Sequence, residues 1–461
     1  MSSMILSTYS ILAFSVSCVL VYAILPLKSR RWFLLLASAV FYGLCDVRFL
    51  GLLALEILFS WFVGKKISAK KSCGQSGKRE LCIGILGIVL ILFAFKYYGF
   101  FAEVFQISLK GIILPLGISY YSFKAISYLA DVFTGKIQEE KSLANYSLYV
   151  SFFPHLLSGP IARATEMLPQ FKTMERPSPA LVEQGIFLIL SGLFKKVVIA
   201  DRLNIYVNTI FENPSLYPSL ACILAALLFT VQLYCDFAGY SEIAIGTTNL
   251  FGFRCSPNFM RPYFSHDIRE FWRRWHISLS SWLRDYIYIP LGGSRVSAVK
   301  HMRNVLCTFV ACGIWHGSAL HYLFWGVYHG ILNVVTPRTA WPEAPKVKRL
   351  LGWAFTLFAV VVGWIFFKAQ SMGVAVGYFV HSVKDFAISG DIVSSTLFPF
   401  TFSNACLAYF LVTLLMISIL FVQEFLEEKD KRYPFVFATV QMFCIILFGF
   451  VGESPFLYAN F

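Results

Sequence analysis

The stretch Glu270-Phe271-Trp272-Arg273-Arg274-Trp275-His276-Ile277-Ser278-Leu279-Ser280-Ser281-Trp282-Leu283-Arg284-Asp285-Tyr286 is a dense run of arginine, tryptophan and histidine in a chain that is otherwise greasy. It sits inside a longer island, residues 258–330. Asn258-Phe259-Met260-Arg261-Pro262-Tyr263 opens that island, and Pro290-Leu291-Gly292-Gly293 and Gly313-Ile314-Trp315-His316-Gly317 continue it. Five of the eight histidines fall between Asp267 and Gly330. Ionisable side chains in or beside a bilayer are costly to keep there, so such an island is a functional-site candidate by default.

The surroundings make the bilayer the right reference. The 461 residues are 57% hydrophobic and only 14% charged, with a mean hydropathy of +0.67. Ordinary soluble domains carry about 25% charged residues, which excludes that class. Candidate spans are Thr8–Leu27, Trp32–Leu44, Phe49–Val63, Cys82–Phe101, Leu114–Val132, Asn145–Leu157 and Ile186–Ala200. Leu220–Tyr234, Val305–Ile314, Tyr322–Val335, Leu351–Phe367, Ala405–Phe425 and Val436–Val451 follow. The runs are continuous rather than alternating, which argues for helices and against a β-barrel. The expectation is one all-α polytopic domain over residues 1–461, with about eleven to thirteen crossings.

A net charge of +14 would suit a nucleic-acid binder, but the basic residues cluster beside the apolar runs, the pattern of positive-inside topology. Residues 64–80 read as a cytoplasmic loop carrying Lys65, Lys66, Lys70, Lys71, Lys78 and Arg79. Met1 to Ser10 has no Lys or Arg, whereas Lys28, Arg30 and Arg31 follow the first apolar run. A cleavable leader carries its charges in front, so the first helix is expected to be retained with its N-terminus outside the cytoplasm. The eleven cysteines include no C-x-x-C pair, which supports neither a disulfide framework nor a zinc ribbon.

Leu114–Val132 carries Pro115, Gly117, Ser119, Ser122, Lys124 and Asp131 and reads as a helix facing protein. The Ser158-Gly159-Pro160-Ile161 break must either line a cavity or be buried. Taken as one helix, Ile268–Ile289 places Ile268, Trp272, Trp275, Leu279, Trp282, Leu283 and Tyr286 on one stripe. Arg269, Arg273 and Arg284 share a neighbouring face, with His276 at the edge. Two readings stand: an interfacial amphipathic helix on lipid phosphates, or a site whose guanidinium groups bind a phosphate-bearing donor.

His316 ends an apolar run between Trp315 and Gly317. It reads either as a satisfied core residue or as a general base, the usual work of imidazole near neutral pH. His316, His321 and His329 do not share a helical face and no H-E-x-x-H occurs, so no metal site is expected. There is no G-x-S-x-G, Walker or G-x-G-x-x-G motif. Asp236 and Glu242 follow an apolar span and are expected to pair with the arginines of the 268–289 segment. They also keep a transporter or flippase open, although a transporter commonly shows two related halves and no internal repeat is found.

Read in order, these segments resemble the membrane-bound O-acyltransferase (MBOAT) family, in its bacterial alginate O-acetyltransferase-like branch. The resemblance rests on Phe95-Lys96-Tyr97-Tyr98, Leu114-Pro115-Leu116-Gly117-Ile118-Ser119, Phe152-Phe153-Pro154 with Ser158-Gly159-Pro160-Ile161, and Asp236-Phe237 with Gly239-Tyr240-Ser241. Phe271-Trp272-Arg273-Arg274-Trp275-His276-Ile277-Ser278-Leu279, Trp282-Leu283-Arg284-Asp285-Tyr286 and Trp315-His316-Gly317 complete it. It implies a ring of helices around a thinned, tunnel-containing core, with amphipathic helices on the cytoplasmic side. It further implies a cytoplasmic acyl thioester donor, His316 as general base or transfer centre, and His276 as the second polar site residue. Arg269, Arg273, Arg274 and Arg284 become donor-binding candidates. Trp272, Trp275, Ser278, Trp315, Asp236 and Tyr240 become tunnel-lining or supporting ones.

The implied activity is O-acetyl transfer from acetyl-CoA, with no bound cofactor, toward an extracytoplasmic cell-envelope polysaccharide at the cytoplasmic membrane. No nucleic acid is involved. D-alanyl transfer to teichoic acid from a carrier-protein thioester is the alternative within the family. The tail Ser454-Pro455-Phe456-Leu457-Tyr458-Ala459-Asn460-Phe461 resembles the aromatic terminus of this branch. Tyr458 is therefore either a hydroxyl relay toward an exported partner acyltransferase or an interfacial anchor.

Overall fold

The computed structural model describes residues 7–98, 114–337, 339–384, 386–397, 404–430, 433–450 and 452. The 454–461 tail, with Tyr458, lies outside them. Among the described residues there is no strand, and the protein is an all-α membrane protein. Four helical stretches there are long and apolar enough to cross a bilayer: Leu27–Ser72, Ser219–Leu250, Lys346–Lys368 and Ala408–Glu428. Thr8–Ile24 and Pro434–Phe448 are shorter apolar helices. The chain forms two compact units. Of the described residues, one comprises those within 7–189 and 240–257, and the other those within 190–239 and 258–452.

The first unit begins with α1 (Thr8–Ile24), α2 (Leu27–Asp46), α3 (Leu50–Ser72) and α4 (Lys78–Lys96). The basic run expected as a loop is mostly helix. α3 continues through Lys65, Lys66, Lys70 and Lys71 and turns only at 73–77. Lysine and alanine are good helix formers, so the helix outlasts its apolar stretch. α5 (Ile118–Thr134) is buried along nearly its whole length, as a helix facing protein should be. Gly117 caps it with φ +73, and a Cβ there would collide with the Leu156 carbonyl oxygen. Only glycine fits both demands.

α6 (Leu143–Ser151) and α7 (Phe153–Leu156) lead into Ser158, Gly159 and Pro160, all buried in protein. α8 (Ala164–Thr173) follows, and α9 (Pro179–Leu193) carries the chain into the second unit.

That unit opens with a π-helical segment, Phe194–Ala200, and α10 (Asp201–Glu212). α11 (Ser219–Leu250) belongs to the second unit up to residue 239 and to the first from residue 240, and runs sixteen residues past Tyr234, where the apolar span was expected to end. Its polar groups at Asp236, Ser241 and Thr247 are buried, so the fall in hydropathy there marks internal contacts. α12 (Ile268–Arg274) and α13 (Ile277–Leu283) are short. α14 (Ala298–His316), α15 (Leu320–Val335), α16 (Lys346–Lys368), α17 (Met372–Lys384), α18 (Gly390–Leu397), α19 (Asn404–Glu428) and α20 (Pro434–Phe448) complete it.

α14 and α15 cross backbone to backbone. A Cβ on Gly313 would lie 2.5 Å from the Tyr322 carbonyl oxygen, and one on Gly326 would strike that of Phe309. Gly326→Ala is expected to destabilise the protein by about 1–3 kcal/mol, the range for overpacking. Activity should fall with it, since α14 carries His316. Thermal unfolding in detergent checks the first point and acyl transfer the second.

Candidate active site

The single helix expected over Ile268–Ile289 is broken in the middle. Trp275 is extended and His276 adopts a left-handed conformation, φ 42 and ψ 56. The cause lies eighteen residues upstream. The Ile277 amide donates to the Asn258 carbonyl (2.8 Å) and the Met260 amide to the Arg274 carbonyl (2.9 Å). The Asn258 side-chain oxygen accepts from the Ser278 amide (3.2 Å) and hydroxyl (2.9 Å) and lies 3.1 Å from His276 Nδ1. A backbone N–H can only donate, so that Asn258 atom is the oxygen, and His276 Nδ1 must carry a proton to bond it. In the neutral ring Nε2 is then the acceptor nitrogen. Asn258 is therefore a site residue that helical periodicity could not reveal. Its only sequence signal is its place at the head of the island.

His276 is 1% exposed and meets the Phe237 ring edge-on at 4.6 Å. Trp315 lies 6.2 Å from His276 and 4.6 Å from His316, centroid to centroid. The two histidines thus flank one indole. His316 is 3% exposed at the C-terminal end of α14. Trp325 (5.0 Å) and Phe367 (5.1 Å) stand edge-on to it, two neighbours the sequence did not single out. Trp275 packs away from the histidine pair, on Phe271, Phe259 and Trp364.

A cavity of about 410 Å³ is lined by residues of α12, α13, α14 and α15 and of the turn between α13 and α14. Arg269, Arg273, Arg284, Ser280 and Ser294 line it together with the buried Trp272, Leu283, Val305 and Cys312. His301, Val305, Thr308, Phe309 and Cys312 line it from α14. His316 lies four residues beyond Cys312, about 6 Å further along nearly the same face. A second cavity of about 390 Å³ shares Arg269 and Arg273 and adds Asp267, Thr339 and Ala340. Arg273 is exposed and has no carboxylate partner among the described residues. Arg284 pairs with Asp285 at 2.8 Å. This is a cationic mouth on an apolar slot, suited to a molecule with an anionic head and an uncharged arm.

Arg274 has other company. It bonds Glu428 through two nitrogens, both at 3.0 Å, and Glu270 at 2.7 Å, and it does not line the cavity. Burial opposes its charge, but Glu428 and Glu270 more than offset that, so its pKa is raised. Arg274 ties α12 to α19.

Asp236 does not pair with an arginine of the 268–289 segment as expected. Its partner is Lys196, 2.6 Å away, which also meets Asp201 at 2.8 Å. The π-helical segment brings Lys196 to α11, a juxtaposition with no periodic signature. Tyr240 is buried within the first unit, whereas both histidines belong to the second. No group of three His, Cys, Asp or Glu among the described residues could hold a metal.

Comparison with known proteins identifies the family. Residues 7–336 match the model of the MBOAT, membrane-bound O-acyltransferase, family. The chain is 36% identical over 405 residues to the probable alginate O-acetylase AlgI of Azotobacter vinelandii, covering 85% of this chain and 80% of that one. It is 38% identical to the Pseudomonas aeruginosa protein of the same name, over 76% of this chain and 68% of that one. With the peptidoglycan O-acetyltransferase of Helicobacter pylori it shares 34% identity over 76% of this chain and 73% of that one. With a family model spanning well over half its length, the chain belongs to the membrane-bound O-acyltransferase family and is an acyltransferase.

Proposed function

We propose that this protein is an O-acetyltransferase of the cytoplasmic membrane. It moves acetyl from cytoplasmic acetyl-CoA toward hydroxyl groups of an extracytoplasmic cell-envelope polysaccharide. The supporting observation is the cavity lined by Arg269, Arg273 and Arg284 and by His301, Val305, Thr308, Phe309 and Cys312 of α14, the helix that ends at His316. The donor's phosphates rest on Arg269, Arg273 and Arg284, and its thioester arm enters the apolar slot. A charged nucleotide cannot enter hydrocarbon cheaply, so a site inside the membrane domain lets only the acyl group pass. The names of the relatives, alginate O-acetylase and peptidoglycan O-acetyltransferase, support a saccharide acceptor.

In the transfer, an acceptor hydroxyl oxygen attacks the thioester carbonyl carbon and its proton passes to His316. The tetrahedral adduct collapses, the C–S bond breaks, and the departing thiolate takes the proton from His316. His276, with Nε2 as acceptor, is the second polar group beside Trp315.

The test is transfer of radiolabelled acetyl from acetyl-CoA in inside-out membrane vesicles. Incorporation into polymer or protein acceptor supports the reading. Activity only with a D-alanyl carrier protein reassigns the donor, and activity with neither donor overturns acyl transfer. Within this assay Arg273→Ala is expected to raise the donor KM about 3- to 10-fold with kcat little changed, because an exposed ion pair contributes about 1 kcal/mol. Arg273→Lys should recover part of the loss, keeping the charge but not the two-pronged geometry.

A further inference from the structure

Trp272 is shared between the cavity and a set of buried donors behind it. Its ring centroid lies 5.6 Å from Trp325 and 5.2 Å from His329, and Trp325 is 5.1 Å from His329. Trp325 also meets His316 edge-on at 5.0 Å, so it touches both imidazoles. Among the described residues, Nε1 of Trp272, Nε1 of Trp325 and both ring nitrogens of His329 are buried without a hydrogen-bond partner. Trp325 and His329 are respectively 1% and 0% exposed.

An indole N–H can only donate, and a neutral imidazole offers one donor and one acceptor. The cluster therefore holds three donors against one acceptor. Buried unsatisfied donors cost stability, and three phenylalanines could fill this space without that cost. What the cluster lacks is an oxygen. The group entering from the cavity toward His316 carries one, the carbonyl oxygen of the thioester, and it becomes an oxyanion when the hydroxyl adds.

We propose that Trp325 is a catalytic residue whose indole N–H donates to the carbonyl oxygen of the transferring acyl group, beside His316, in a subsite walled by Trp272 and His329. This rests on the acyl-transfer reading above. The Trp325 proton stays on nitrogen throughout. When the carbonyl π electrons move to oxygen the bond strengthens, and when the C–S bond breaks it relaxes, so the contact favours the transition state over bound donor.

Trp325→Phe keeps a ring in the cluster and removes only the donor. In single-substrate acetyl transfer, kcat should fall about 10²- to 10³-fold, the range for one oxyanion donor, with the donor KM within about twofold of native. Native-like kcat would overturn the proposal and assign the buried N–H to structural water. Should Trp325→Phe fail to fold, the carbonyl band of ¹³C-acetyl-CoA bound to His316→Ala protein decides. A band shifted to lower frequency than in solution supports the bond, and an unshifted band overturns it. Where Trp325→Phe does fold, placing it in the His316→Ala background must abolish that shift, and persistence overturns the assignment. A native protein inactive with every acyl donor instead sinks the acyl-transfer reading itself.

Discussion

His316→Ala is expected to lower acetyl transfer in inside-out vesicles by about 10²- to 10⁴-fold, the contribution of a positioned general base. His316 is buried at the end of α14, about one turn beyond Cys312, which lines the arginine-bearing cavity. It is ringed by Trp315, Trp325 and Phe367. The other imidazole on that face of α14, His301, lines the cavity near the start of the helix, with its Nδ1 3.0 Å from the Tyr288 hydroxyl. His276 lies across the Trp315 indole and is anchored through Nδ1 to Asn258. Thermal unfolding at matched expression separates lost chemistry from lost fold. A variant that folds and keeps more than a tenth of native transfer would remove His316 from the role of base. The two histidines would then exchange assignments, and His276→Ala would become the decisive variant.

How much of this was legible in the sequence depends on the range of the forces involved. Apolar runs and turn residues act locally, so α14, α15 and α16 fall close to the expected spans around 305–314, 322–335 and 351–367. The clustering of histidine and arginine was also visible, because composition needs no geometry. The break at His276 was not. Counting at 100° per residue assumes an unbroken helix, and the Asn258 side chain that breaks this one is eighteen positions away. The same limit hid the true partner of Asp236. A buried carboxylate demands a cation, and that much follows from sequence. Which cation answers depends on the π-helical segment carrying Lys196 inward. Arg274 illustrates the converse. It sits among candidate donor-binding arginines by sequence, yet Glu428, far along the chain, claims it.

Lys196→Met should be the most destabilising single change of charge in the protein, by about 3–5 kcal/mol, the cost of breaking a buried ion pair from one side. Lys196 is wholly buried and stands between Asp236 and Asp201. Removing the ammonium leaves two carboxylates close together, away from water, at the start of α10 and in the middle of α11. Desolvation and mutual repulsion then act in the same direction. The loss should appear as a lower midpoint in thermal or denaturant unfolding of the detergent-solubilised protein. Adding Asp236→Asn and Asp201→Asn to Lys196→Met should recover most of it, because the penalty belongs to the uncompensated charge rather than to the missing bonds. The residue after Asp236 gives the triad a second consequence. Phe237 presses its ring edge-on to His276 at 4.6 Å, so α11 must be seated correctly for the imidazole to stand where it does. If the triple variant regains stability but not acetyl transfer, the ion triad positions His276 as well as holding the fold. If Lys196→Met alone unfolds like the native protein, the two carboxylates are not held as charges by Lys196, and the ion-pair account of this cluster fails.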